Sequence, residues 1–329
     1  MTQIMKTPNL PRDIIKEMIT YVPGSVRNLT QATRDHRAIS FEDKLLSRED
    51  PITLEINDLN DLDRLKSDPG INRLIEQGQR IFLSFSFDFN HELQPGSIPV
   101  GISGVTFGDF FNQELHPGVI PTGVTQVTFG SYFDQELSPG TIPSGVTHLI
   151  FGDFFNQELQ PGVIPHEVTH LTFGQAFNQE LRPGAIPRGV TRLIFGDFFN
   201  RELQPGAIPR GVTHLYFGFE FNQALQPGAL PEGLSHLEFG WSFDQELQPG
   251  VIPISVTHLI FGDYFNQILQ PEVIPPQVTH LEFGWHFNQE SLQPGVLPES
   301  IQHLQFARID HYLFPPGIIP AGVWHLDLG

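Results

Sequence analysis

Along residues 82–329 the apolar positions fall into one short pattern that recurs. Val168-Thr169-His170-Leu171-Thr172-Phe173 alternates apolar and polar residues and is rich in β-formers, which predicts a short strand with Leu171 and Phe173 turned into a core. Gly174 ends that strand, Pro183-Gly184 suits the central pair of a type II turn, and a second turn follows Ile186-Pro187 before Gly189. Phe177, Leu181 and Ile186 complete the apolar set with Val168. The phenylalanines Phe89, Phe111, Phe133, Phe155, Phe177, Phe199, Phe221, Phe243, Phe265 and Phe287 then fall at strict 22-residue steps. One extra residue near Ser291 shifts the register, and the last copy, around Asp310 and Tyr312, lacks the motif, as expected where terminal coils cap a core instead of stacking.

One strand, two turns and an extended return leg leave no room for a helix in such a unit. The prediction is a mainly β repeat solenoid of about eleven flattened right-handed coils of 22 residues, stacked at ~4.8 Å around one parallel sheet, with a small α-helical N-terminal segment. Each apolar position stacks on its equivalents in the coils before and after. At about 1.5–3 kcal/mol per buried large side chain, a coil is stable only with neighbours on both faces.

Phe155-Asn156-Gln157-Glu158-Leu159-Gln160-Pro161-Gly162-Val163-Ile164-Pro165 recurs with little change as Phe199-Asn200-Arg201-Glu202-Leu203-Gln204-Pro205-Gly206-Ala207-Ile208-Pro209. This Phe-Asn-x-x-Leu-x-Pro-Gly-x-Ile-Pro pattern resembles the FNIP repeat, a relative of the leucine-rich repeat found in social amoebae and giant amoeba viruses. The resemblance covers roughly residues 82–329 and implies a leucine-rich-repeat-like solenoid that binds other proteins.

Residues 1–80 do not share the period. Leu10, Ile14, Ile15, Met18 and Ile19 have helical spacing, Pro11 lies near the helix start and Pro23-Gly24 stops it; a second helix is expected through Val26–Ala38. Leu10-Pro11 followed by Ile14-Ile15, Met18-Ile19, Leu29 and the pair Arg34 and Arg37 is similar to the start of an F-box, although His36 stands where that module commonly has tryptophan. The resemblance implies docking on a Skp1-type adaptor through Leu10, Pro11, Ile14, Ile15, Met18 and Ile19. The other reading is a helical cap. Three regions follow: 1–50 as F-box-like segment or cap, 51–81 as linker and irregular first coil, including Leu62–Leu65 and Ile71–Ile75, and 82–329 as solenoid.

Composition narrows the function. The chain has no cysteine, so disulfides, thiolate metal sites and a cysteine nucleophile are excluded, which fits a reducing, intracellular and cytoplasmic setting. No stretch reads as a signal peptide or membrane span, so no membrane partner is expected. The net charge of −19 is concentrated in the repeats: residues 81–329 hold 6 Lys+Arg and 24 Asp+Glu. That excess of acid argues against nucleic acid as a partner. The carboxylates form rows instead of a convergent pair, and no Ser/His/Asp set stands apart from the period, so neither catalysis nor a cofactor is expected.

Four constellations remain. The ladder Asn112, Asn156, Asn178, Asn200, Asn222 and Asn266, with Asn90 and Asn288 and with Asp134 and Asp244 substituting, is expected to be structural, bonding backbone left unpaired at the bend. His148, His170, His214, His236, His258, His280, His303 and His325 precede the inward leucine and so face outward; parallel rings ~4.8 Å apart do not converge on a metal, and none is expected. Tyr132, Phe154, Phe198, Phe219, Trp241, Tyr264 and Trp285, beyond the strand-ending glycines, together with Tyr216 of the outward strand row, suggest an aromatic face for a protein partner. Arg188, Arg192 and Arg210, with Arg182 and Arg201, lie in neighbouring coils and are expected to form a basic patch on an acidic body.

Overall fold

The computed structural model describes residues 51–288, 290, 292–308 and 314–329. The two helices expected before residue 50, the adaptor-docking residues Leu10 to Ile19, the insertion at Ser291 and the degenerate stretch at Asp310 and Tyr312 lie outside the described residues.

The described residues begin with β1 (Ile52–Ile56), α1 (Leu59–Ser67), α2 (Pro69–Glu76) and β2 (Ile81–Phe85). Then come β3 (Gly104–Thr106) and the strands Gln126–Thr128, His148–Ile150, His170–Thr172, Arg192–Ile194, His214–Tyr216, His236–Glu238, His258–Ile260, His280–Phe283, His303–Phe306 and His325–Asp327, which are β4 to β13. All thirteen strands form one sheet in sequence order, and every neighbouring pair is parallel. Partners in the repeats lie one period apart, as in Leu171 against Leu193, except that the inserted residue lengthens the step from His280 to His303 by one. The result is a solenoid of about eleven such coils.

Residues 51–81 are not a linker. Here the irregular first coil is a strand followed by two helices, and β1 pairs with β2 along its whole length. Asp58 caps α1 by accepting the Asp61 backbone N–H (3.0 Å), a bond that also lowers its carboxyl pKa. Asp68 caps α2, accepting from Gly70 N–H at 2.7 Å, with Pro69 in the first turn. Leu62 and Leu65 enter the core while Ile71, Leu74 and Ile75 pack against it, so the helical coil covers the first repeat.

Within a repeat there are three turns. Ala185 N–H donates to Arg182 C=O (3.0 Å) across Pro183-Gly184, and Val190 N–H donates to Pro187 C=O (3.2 Å). The third, absent from the sequence reading, is closed by Phe177 N–H on Gly174 C=O (3.3 Å). Gly184 has φ +90°, the left-handed value a type II turn needs. At the same turn of a later coil Glu272 stands in place of glycine and carries φ 69°.

The glycines that end the strands serve a different need. A Cβ on Gly196 would lie 1.8 Å from the carbonyl oxygen of Gly174, and the same clash recurs along the column from Gly108 to Gly284. Backbone rests on backbone there, and no side chain fits.

Equivalent rings in successive coils measure how the stack is wedged. Centroids are 4.1 to 4.3 Å apart in the outward histidine column (His236 to His258, His148 to His170), 5.6 Å between Phe173 and Phe195, and 6.1 Å between Phe177 and Phe199. Displacement growing with depth means that successive coils are rotated as well as translated. The outward face of the sheet is therefore the concave side of an arc.

Two glycine substitutions separate the two needs. Gly196→Ala is expected to destabilise the protein by about 3 kcal/mol or more, because coils must part to admit the methyl group. Glu272→Gly is expected to stabilise it by about 1 kcal/mol by relieving left-handed backbone. Chemical denaturation of both variants checks the opposite signs.

Candidate functional site

The turn that follows each strand builds a rim. In Gly152-Asp153-Phe154-Phe155 the Phe155 N–H donates to Gly152 C=O (3.1 Å), which holds Asp153 and Phe154 outward. The second outward residue is tied to the coil before it: Phe154 N–H donates to Ser131 C=O (2.8 Å) and Tyr132 N–H to Asp109 C=O (2.8 Å). Side chains on this edge therefore stand on a bonded, regular backbone.

The aromatics do not form the single row expected from sequence. Tyr132, Phe154, Phe198 and Tyr264 occupy the second outward column, whereas Phe219, Trp241 and Trp285 occupy the first. They gather into two patches. Phe110, Tyr132 and Phe154 stack at 5.0 and 4.9 Å, and Phe87 meets Phe110 edge-on at 4.7 Å. Phe87 and Phe110 escaped the sequence reading, although counting back by the repeat period from Tyr132 and from Trp241 reaches both. In the second patch Phe219 meets Trp241 at 4.6 Å, and Trp241 lies 6.0 Å from Tyr264, which stacks on His286 at 4.8 Å. Phe219, Asn222, Trp241, Ser242, Asp244 and Tyr264 line an open hollow of about 520 Å³, and the buried Trp241 indole N–H makes no hydrogen bond. Phe198, between Ala176 and Glu220 in its column, is 53% exposed and touches neither patch. Arg308 lies 5.6 Å over the Trp285 ring. Tyr216 is elsewhere, on the concave face, with the Arg192 guanidinium 4.7 Å above its ring.

The arginines are not brought together as one patch. Arg192 belongs to the concave sheet face. Arg188 and Arg210 share an exposed column at the turn before the strand. Arg182 pairs with Glu158 (2.8 Å), and Arg201 donates from Nε to the Asn178 carbonyl (2.8 Å). They sit at four positions around the coil, because neighbouring in sequence is not neighbouring in column.

The asparagine column forms a continuous run of bonds. Asn178 N–H donates to Asn156 Oδ1 (2.8 Å), Asn200 N–H to Asn178 Oδ1 (3.0 Å) and Asn222 N–H to Asn200 Oδ1 (3.0 Å), and the run extends from Asn90 to Asn288. Only the acceptor oxygen is used, which explains why Asp134 and Asp244 replace asparagine: each accepts from the next coil at 2.8 Å. A neighbouring glutamine adds a second donor to the same oxygen, as Gln179 Nε2 does to Asn156 Oδ1 (3.1 Å).

On the concave face His148, His170, His214, His236, His258 and His280 are each oriented by the hydroxyl of the residue before them. Thr257 Oγ1 donates its one proton to the Ser235 carbonyl (3.2 Å), so in its 2.9 Å contact with His258 the ring Nδ1 is the donor. The hydrogen-bond network thus places a proton on Nδ1. Burial, and then the His170 ring, push His148 down to about 4; burial, and then His258 and His303, push His280 down to about 4; His258 is lowered for the same kind of reason. Glu238, in the adjoining row, is raised to about 7 by burial and then by Glu282, with Arg192 opposing. Among the described residues no group of His, Asp and Glu is placed to hold a metal ion.

These shifts oppose one another. Histidines with lowered folded pKa contribute stability that is present above ~6.5 and lost as pH falls toward 4, since the unfolded chain then binds the extra protons. Glu238, raised in the folded state, contributes stability below ~4.5 that is lost as pH rises through 7. The melting midpoint is expected to fall as pH drops from 6.5 to 4, with the Glu238 contribution, which runs the opposite way between about 4.5 and 7, offsetting part of that fall, and to level off above pH 7. Glu238→Gln should raise the midpoint at pH 8 and change it little at pH 5. Thermal melts across that range check both limbs.

The sequence pattern of the FNIP Repeat family matches residues 89–132, 133–176, 177–220, 221–264, 265–309 and 287–329. A solved structure, that of CroV588, a novel circular LRR protein, is similar with 35% identity over 84% of this chain and a TM-score of 0.75. The chain spans 39% of that protein's length. No curated protein matches the sequence. With the 22-residue coil, its asparagine run and its single parallel sheet accounted for, the chain belongs to the FNIP repeat family, with a leucine-rich-repeat-like fold suited to protein–protein interaction.

Proposed function

We propose that the protein is a non-catalytic, intracellular recognition subunit: the solenoid holds a protein target against its aromatic rim, and the N-terminal segment docks on a Skp1-type adaptor so that the target is ubiquitinated. The observation that carries the target-binding half is the rim itself. Large apolar rings stay in water on a backbone bonded coil to coil, with Phe154 52% exposed and stacked on Tyr132, and such patches mark interaction sites. The Asp109, Asp153, Asp197 and Asp263 carboxylates beside them supply a polar margin. Arg188 and Arg210, one exposed column, are a second contact for an acidic segment. Support for the adaptor half is the F-box resemblance of Leu10, Pro11, Ile14, Ile15, Met18 and Ile19.

The two halves are tested separately. The full chain titrated with a purified Skp1-type adaptor is expected to bind, and Ile14→Glu with Ile15→Glu to lose binding; no binding by the unaltered chain removes the ubiquitin-ligase role and leaves a free scaffold. For the rim, proximity labelling in cells is expected to lose its specific protein set on joint substitution of Phe110, Tyr132 and Phe154 by serine, with an unchanged melting midpoint. A set retained by that variant but lost on Arg188→Ala with Arg210→Ala moves the target to the arginine column.

A further inference from the structure

The hollow at the second aromatic patch sets ring faces beside a carboxylate that the fold does not need. Ser242 stands in the second outward column between Glu220 and Tyr264, and its small side chain leaves the hollow open. Trp241 and Tyr264 supply rings 24° from parallel, with Tyr264 49% exposed, and Asn222 and Asp244 of the ladder share the lining. The ladder fixes which of their atoms remain. Asn222 Oδ1 accepts from Asp244 N–H (2.9 Å) and Gln245 Nε2 (3.0 Å), which leaves Asn222 its amide N–H donors. Asp244 Oδ1 accepts from Asn266 N–H (2.8 Å) and Gln267 Nε2 (2.9 Å), while Oδ2 has no hydrogen-bond partner among the described residues.

From Asn90 to Asn288 the ladder is asparagine except at Asp134 and Asp244, which fall in the coils of Tyr132 and Trp241, one at each aromatic patch. Asparagine serves the ladder equally, so packing does not call for those charges. Trp285, in the Trp241 column two coils on, has Arg308 of its own chain 5.6 Å over its ring, whereas among the described residues no cation lies over Trp241 or Tyr264. We propose that the hollow holds an arginine side chain of the protein target. The guanidinium stacks on the Trp241 and Tyr264 rings while its N–H fork donates to Asp244 Oδ2. Asn222 Nδ2 donates to a main-chain carbonyl of the same segment. A hollow of about 520 Å³ admits such a side chain, and exposed Glu220, one coil before, adds to the negative charge. Lysine fits less well, because its compact, strongly hydrated ammonium cannot lie flat on a ring and reach a carboxylate edge-on at once. The inference rests on the reading of the rim as the target-binding face.

Fluorine NMR of the full chain labelled with 5-fluorotryptophan tests it, the Trp241 signal being assigned through Trp241→Phe. The probe is the peptide acetyl-Gly-Arg-Gly-amide at low salt, with its lysine and leucine analogues as comparators. The arginine peptide is expected to give a saturable shift of the Trp241 signal, the lysine peptide to bind several-fold more weakly and the leucine peptide to give no saturable shift. Asp244→Asn, which keeps the ladder acceptor, should weaken the arginine peptide about fivefold without lowering the melting midpoint. Tyr264→Ala, which matches Ala176 of the same column, should weaken it about threefold. The titration needs no target and the proximity labelling needs no peptide, so this inference and the target-binding reading of the rim fail separately. No shift with the arginine peptide, an equal response to the leucine peptide, or binding indifferent to Asp244→Asn overturns the proposal.

Discussion

Every coil must rest on the equivalent atoms of the coil before it at the ~4.8 Å spacing of a parallel sheet, and the rest of the molecule follows from that requirement. Where backbone meets backbone, only glycine fits, as in the column through Gly174 and Gly196. Where the spacing suits stacked rings, phenylalanine fills the core in two columns, Phe173 above Phe195 and Phe177 above Phe199. Where the bend leaves a backbone N–H without a sheet partner, a side-chain oxygen from the coil before accepts it, and asparagine or aspartate serves equally. Repetition in this chain is a packing solution applied about eleven times.

The same requirement sorts structural positions from those free to vary. A residue that touches its own equivalents above and below can change only to one that keeps that contact, so the glycine, asparagine and core phenylalanine columns carry little information about a partner. The two outward residues of the turn after each strand escape it. Their backbone is fixed, yet their side chains project into solvent, which is why Asp153, Gln175 and Trp241 can share one column and Phe154, Ala176 and Glu220 another. Variation on a rigid frame is the arrangement a recognition surface needs. The concave face is intermediate: its histidines stack closely enough that protonating one burdens the next, and the adjoining Glu238 is desolvated in turn.

Much of the fold is legible in the sequence. The 22-residue phenylalanine spacing is the register of the sheet, and the inward Leu171 and Phe173 are buried as alternation requires. The sequence misleads where local pattern is weak or where depth matters. Residues 51–81 read as a linker and irregular first coil, without their strand and helices, because β1, α1 and α2 are short and outside the period, although the caps Asp58 and Asp68-Pro69 are visible. The aromatics read as one row until the turn closed by Phe177 on Gly174 is recognised, since that turn sends consecutive residues into separate columns. The arginines are close in sequence, whereas a coil disperses adjacent residues around its circumference.

The sequence alone thus specifies the repeating unit, its register, the core columns and the acidic character of the body, because these depend on periodic contacts between equivalent positions and periodicity survives in one dimension. Only the folded chain shows which face is concave, how the exposed aromatics divide into two patches and which arginines are already bonded. Those properties depend on the small rotation between successive coils and on which side chain reaches across the turn, and neither is written in the spacing of residues along the chain.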